Sequence, residues 1–182
     1  MILRLTEIYD RAIVPALALL PAKMTSPEAV VELLAIGLQE SQFEHRRQVI
    51  KKKGQLVPLG PAKSFWQGER FGGMTAGTVR HPASRYWMHH VCEARGVKFN
   101  ATAIWNSIET DDILAAAAAR LLLFTDPKRL PSVGDENAAW NLYLRAWRPG
   151  AWERGTKQER AELRKKWARN YAIAQKFVSE MS

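Results

Sequence analysis

The chain has 182 residues, 47% of them apolar, with seven tryptophans, 27 lysines and arginines, and 18 acidic residues, for a net charge of +9. Those totals exclude a disordered tail and point to one domain with its own core, burying roughly 70% of the surface an unfolded chain exposes. A polycation favours anionic partners such as nucleic acid, acidic lipid or an anionic wall polymer, and the single cysteine, Cys92, excludes an intramolecular disulfide.

A first helix is expected over about residues 5–20, stopped by Pro21, with Leu3, Ile8, Ala12, Pro15, Ala16 and Leu19 on one face. Residues 12–22 have the length of a signal-peptide apolar region. Glu7 and Asp10 stand where a signal is basic, however, and Pro15 interrupts the run, so a folded helix is expected rather than a leader. No stretch approaches the apolar length of a membrane span. Ser26-Pro27-Glu28 then signals a helix start: Ser as N-cap, Pro at the first helical position, Glu in the first turn. Val30, Val31, Leu33, Leu34, Ile36 and Leu38 make this helix too apolar for a surface, so it is read as central, ending near Gln42.

Val49-Ile50 and Leu56-Val57 flank a Lys-Gly turn and read as a short hairpin, which Pro58 confines to an edge. Residues 68–77 hold four glycines, a loop that must bend tightly or approach a ligand. Helices are expected over about 81–95, 100–107, 110–124 with Thr110 as N-cap, and 135–150 closed by Pro149-Gly150. The last, about 156–178, sets Leu163, Trp167, Tyr171, Ala174 and Val178 on one side and clusters Arg and Lys at 160–169. The fold class is therefore mainly α with at most a short β-hairpin. With no repeat and no flexible linker, one domain spans 1–182, and its N-terminal helix (about 1–22) and basic C-terminal helix (about 156–180) are extensions.

Among the polar residues Glu40 stands out by position. It follows Ile36 by one turn and shares a face with Val30, Leu33 and Gly37, at the C-terminal end of a buried helix. An apolar wall and the negative end of the helix dipole both penalise the ionised carboxyl and raise its pKa, which suits a general acid near neutral pH. Considered alone, an exposed helix-end glutamate is the commoner case. Glu40-Ser41-Gln42-Phe43, however, has the E-S-x-F form found around the catalytic glutamate of lytic transglycosylases and goose-type lysozymes. Ser64-Phe65-Trp66-Gln67, 24 residues on, resembles the family's G-L-M-Q segment. Asp111-Asp112-Ile113 with the following Ala/Leu run resembles its E-N-I-x-x-G helix. Residues 146–152, Ala-Trp-Arg-Pro-Gly-Ala-Trp, look like a worn A-Y-N-A-G-P-G-x-V motif. Four segments in family order cover about 110 residues, and the overall flavour resembles a bacteriophage cell-wall-degrading protein.

The resemblance implies a lysozyme-like helical domain that cuts the β-1,4 bond between N-acetylmuramic acid and N-acetylglucosamine in peptidoglycan glycan strands. Glu40 would protonate the glycosidic oxygen and then act as base while the muramoyl 6-hydroxyl attacks, giving a 1,6-anhydro end. Ser41 and Gln67 would position groups, and Trp66 and Trp147 would line the cleft. The family's tyrosine falls on Trp147 if the motif is aligned through Pro149-Gly150, or on Tyr143 one turn earlier. A hydrolytic muramidase needs a second carboxylate, for which Glu69 leads, ahead of Glu44 and Asp111.

His81, His89, His90 and Cys92 lack zinc spacing, so neither metal nor cofactor is expected, and Cys92 reads as a core thiol. The basic C-terminal helix reads first as a solvated face, then as a surface for anionic wall polymer or lipid. The contrasting function is a non-enzymatic helical protein binding nucleic acid through residues 157–169, without a helix-turn-helix or aromatic platform to support it. A third is a virion component that grips glycan without cutting it. The wall-degrading reading places synthesis in the bacterial cytoplasm and action in the periplasm, reached through a helper pore or with an injecting phage particle.

Overall fold

A computed structural model describes residues 2–181. Among the described residues the protein is mainly helical, 64%, with one two-stranded antiparallel sheet. The chain starts with α1 (Ile2–Ile8), a π turn over Tyr9–Ile13, and α2 (Val14–Ala18). The π turn sits just before Pro15, which has no N–H to give an α-helical bond, and the Val14 N–H reaches back to the Tyr9 carbonyl. Leu5, Ile8, Ala12, Ala16 and Leu17 pack inward, whereas Leu3 is 87% exposed. The expected inclusion of Leu3 on the buried face is thus corrected, because five residues before Ile8 is well over a turn and points it outward.

α3 (Pro27–Ser41) begins as expected: the Ser26 hydroxyl accepts the Ala29 N–H at 3.2 Å, with Pro27 in the first turn. Every residue from Ala29 to Gln39 is buried, so the helix runs through the core. The hairpin forms from β1 (Ile50–Lys52) and β2 (Gln55–Val57), with Lys51 opposite Leu56. Lys53 and Gly54 both take positive φ (49° and 83°), the geometry of a two-residue turn matched to strand twist. After a glycine-rich segment with a π turn at Gly73–Gly77 come α4 (Thr78–Arg80), α5 (Arg85–Arg95) and α6 (Ala101–Ser107).

α7 (Asp112–Phe124) is the second buried helix, with Leu114 to Leu123 all inside. Its N-cap is Asp111, whose carboxylate accepts the Leu114 N–H at 3.0 Å, not Thr110. An ionised cap both satisfies the free N–H and faces the positive end of the helix, which favours Asp over the neighbouring Thr. α8 (Glu136–Trp147) is capped by Asp135 and stops at Arg148 in the left-handed conformation, followed by α9 (Gly150–Glu153). α10 (Lys157–Met181) opens with a reciprocal cap in which the Thr156 N–H donates to Glu159 and the Glu159 N–H to the Thr156 hydroxyl. It lies along α3 and buries Trp167, Asn170, Tyr171, Ala174, Phe177 and Val178. One apolar cluster joins all these helices. The terminal helices are therefore parts of the core rather than extensions of it.

Candidate active site

The end of α3 is built to hold its last turn in one place. Gln42 and Phe43 both adopt left-handed φ (54° and 55°), so the chain doubles back and lays the Phe43 ring over Gly37. Only glycine fits there, since a Cβ on residue 37 would lie 2.2 Å from Phe43 Cζ. Phe43 meets Phe65 and Trp66 edge-on at 5.6 and 5.9 Å. Its carbonyl accepts two N–H bonds from the Arg4 guanidinium, at 3.1 and 2.9 Å. The Ser41 hydroxyl donates to the Phe65 carbonyl at 2.7 Å, tying α3 to the 64–67 segment. Arg46 stacks over Phe65 at 4.4 Å and grips Asp112 through two nitrogens. Ser41 and Phe43 thus fix the backbone that follows Glu40 against the 64–67 segment and Gly37.

Glu40 projects from that turn, half-buried, into a cleft of about 890 Å³. Its Oε1 accepts the phenolic hydroxyl of Tyr143, on α8, at 2.7 Å. Tyr143 is 1% exposed and stacks on Trp167 of α10, ring centres 4.8 Å apart, which holds its ring in place beside Glu40. Burial pushes the Glu40 carboxyl up to about 7 and the facing charge of Glu69 adds to the rise, while the Tyr143 hydrogen bond and the charge of Lys166 pull it down. The Tyr143 phenol is raised well above its ordinary value by burial first and by Glu40 second, so it stays a hydrogen-bond donor. A carboxyl poised near 7 carries a proton for a substantial fraction of molecules at neutral pH and can release and recover it.

Comparison with protein-family models, curated proteins and solved structures finds no match. What the site can do rests on its own geometry.

The cleft brings together Glu40, Ser41, Gln67, Glu69, Tyr143 and Trp147. Trp66 is the correction: it is fully buried, donates its indole N–H to the Leu33 carbonyl at 2.8 Å, and presents no face to the cleft. A side chain that large, packed against α3 beside Phe43, is part of the core. The Trp66 carbonyl accepts the Trp147 indole N–H at 2.9 Å and so orients the tryptophan that does line the cleft. Of Tyr143 and Trp147, Tyr143 is the one hydrogen-bonded to Glu40. Gln67 takes left-handed φ (53°) and donates to the Ser64 carbonyl, closing its own turn where it lines the cleft.

Glu69 is exposed on the glycine-rich segment and shares the cleft with Glu40. Asp111 is not in the cleft; it caps α7 and pairs with Arg95 at 2.8 Å. Glu44 is exposed beside His45 and does not line the cleft either. His81, His89 and His90 are exposed, Cys92 is buried, and among the described residues no group of three His, Cys, Asp or Glu is placed to hold a metal ion.

Sequence reasoning missed Lys166, which read as one more cation on a solvated basic face. Its ammonium donates to the Gln39 carbonyl and it lines the cleft. Arg164, two residues earlier, is likewise engaged, in a bidentate grip on Glu136. Spacing along α10 places both residues near Trp167, but no local pattern says that Lys166 meets the end of α3 at Gln39, 127 residues away.

Proposed function

We propose that the protein cleaves the β-1,4 bond between N-acetylmuramic acid and N-acetylglucosamine in peptidoglycan, as a lytic transglycosylase. The observation that carries this reading is the Glu40 carboxyl, poised at about 7 in an open cleft and held by the buried Tyr143 hydroxyl at 2.7 Å. A glycosidic oxygen is a poor leaving group unless a proton reaches it as the bond breaks, and a carboxyl with a raised pKa supplies that proton. In the first step Glu40 gives its proton to the N-acetylglucosamine O4 as the bond from the muramoyl C1 to that oxygen breaks. In the second, the Glu40 carboxylate removes the proton of the muramoyl 6-hydroxyl, whose oxygen bonds to C1. The anhydro ring closes, no water is consumed, and Glu40 regains its proton.

The cleft shape supports the reading. Trp147, Gln67 and Leu122 of α7 bring an aromatic ring, an amide and an apolar side chain to its lining. Phage-type delivery, with synthesis in the cytoplasm and action on the wall through a helper pore or injection, belongs to the same proposal. No helix among the described residues is long and apolar enough to cross a membrane.

Hydrolysis is the second reading, favoured by Glu69, whose charge faces Glu40 across the same cleft. There Glu69 would act on water or on the sugar directly, leaving a reducing end. Digestion of purified sacculi with mass analysis of the fragments separates the two: anhydro-muramoyl ends support transglycosylation, reducing ends hydrolysis. Release of no fragment overturns both.

A further inference from the structure

The basic C-terminal helix, α10, brings one of its cations, Lys166, to face Glu40. Several contacts place it. α10 is packed along α3, and its Asn170 donates to the Gln39 side chain at 2.8 Å and accepts from Gln42 at 3.2 Å, so the two helices are locked at the turn that carries Glu40. Gln39 in turn donates to the Leu163 carbonyl at 3.2 Å. Within this frame the Lys166 ammonium donates to the carbonyl of Gln39, the residue before Glu40. That carbonyl lies in the last turn of α3, where four carbonyls lack helical partners and the helix end carries partial negative charge. Lys166 therefore caps α3 at its catalytic end, and it also lines the cleft into which Glu40 projects.

We propose that Lys166 is a positioning residue for the reaction: anchored to Gln39, its fixed ammonium is the electrostatic partner of the Glu40 carboxylate that appears once the acid has given up its proton. The inference rests on the reading of Glu40 as the acid. Three groups from three elements face that carboxyl: Tyr143 from α8 as donor, Lys166 from α10 as cation, and Glu69 from the glycine-rich segment as anion. Lys166 itself faces Glu40 and, on its own helix, Arg169. Without the lysine, Glu40 would be left with burial and Glu69, both of which hold it protonated, and with Tyr143 alone to favour the anion. The acid would then donate its proton reluctantly. With the lysine, donation leaves an anion that has the Tyr143 donor in contact and a fixed cation nearby.

The test reads Glu40 directly. Protein labelled with ¹³C at glutamate side-chain carboxyls is titrated by NMR, with the Glu40 signal assigned by its loss in Glu40→Gln. Lys166→Met removes cation and cap. Lys166→Gln removes the cation but keeps an N–H donor for Gln39, so it reports even if the first variant fails to fold. Lys166→Arg restores the charge, and Lys165→Met, at an exposed neighbouring position, controls for the general field of α10. The expected result is a Glu40 midpoint raised by about one pH unit, a tenfold change in proton affinity, in both neutral variants, as for loss of an adjacent opposite charge. Lys166→Arg and Lys165→Met should stay at the wild-type midpoint, and the alkaline limb of the sacculus-cleavage profile should move with the NMR midpoint. An unchanged midpoint in folded Lys166→Gln, or an equal rise in Lys165→Met, overturns the inference. If the midpoint moves as expected but no form cleaves sacculi, the coupling stands and the proposed substrate is wrong.

Discussion

Glu40 and Tyr143 form the hydrogen-bonded pair on which the proposed chemistry rests, and a one-atom change in either separates their roles. Glu40→Gln keeps the shape and the Tyr143 contact but has no proton to give. Sacculus cleavage should fall by about 10²–10⁴-fold, the usual contribution of a positioned acid–base group, with the melting temperature changed little. Tyr143→Phe removes only the hydroxyl. Because that hydrogen bond favours the ionised form, its loss raises the Glu40 midpoint above about 7. The alkaline limb of the pH–rate profile then shifts upward, while kcat falls by about 10–100-fold, the scale of one hydrogen bond to a charged group. In the wild type, activity should decline as pH rises through about 7, where Glu40 loses its proton. At this scale the sequence was legible where a local pattern marked the residue: Glu40 at the edge of an apolar run, Tyr143 one turn before an Ala-Trp turn. Trp66 misled because its motif position says nothing about which way the ring points, and the ring packs into the core against α3 and beside Phe43. Lys166 was illegible because the carbonyl that receives it is fixed by how two distant helices dock.

Among the elements, the end of α3 is where local and tertiary demands meet. Gly37 costs helix propensity, roughly 0.5–1 kcal/mol relative to alanine, and is retained because Phe43 occupies the space a methyl would need. Gly37→Ala therefore tests the packing directly. Propensity alone predicts a more stable protein. The 2.2 Å approach instead predicts a destabilisation of about 1–3 kcal/mol, as for overpacking in a dense core, with lost activity because the turn that aims Glu40 moves. A thermal melt and a cleavage assay decide between them. Helix starts at Ser26 and Asp135, and the hairpin at Lys53-Gly54, could be read from the chain because their caps and turns are local chemistry. The start of α7 was misplaced by one residue, since Thr110 and Asp111 are both good caps and only the folded backbone selects one. The π turn before Pro15 was likewise not foreseen, because proline predicts a break or kink without saying how the neighbouring carbonyls are satisfied.

For the whole molecule, titration and stability are linked through a second buried carboxyl. Glu32, on α3, is 1% exposed, has no hydrogen-bond partner for Oε2 among the described residues, and is pushed by burial from 4.5 up to about 8. The folded protein therefore keeps a proton that the unfolded chain releases above about 4.5. The stability this proton contributes is fully present below that pH and declines as pH rises towards 8. Glu32→Gln removes this slope. The melting temperature of the variant relative to wild type should climb between pH 4 and pH 8. The climb should match roughly 4 kcal/mol, since each pH unit between the unfolded and folded titration midpoints corresponds to about 1.4 kcal/mol. A constant difference across that range would show that Glu32 is not held neutral in the fold. The core joining both terminal helices to α3 and α7 was foreseen only in part: amphipathic faces announced that those helices dock, and nothing local announced that Arg4 and Lys166 would reach the two sides of the same turn.

Whether Glu40 delivers the proton that breaks a muramoyl glycosidic bond is decided by digesting purified sacculi at pH 6–7 with wild type and with Glu40→Gln, and weighing the soluble fragments by mass spectrometry. Wild type should release fragments ending in 1,6-anhydro-N-acetylmuramic acid, and the variant almost none. Intact sacculi with folded wild type, or equal release by Glu40→Gln, would contradict it.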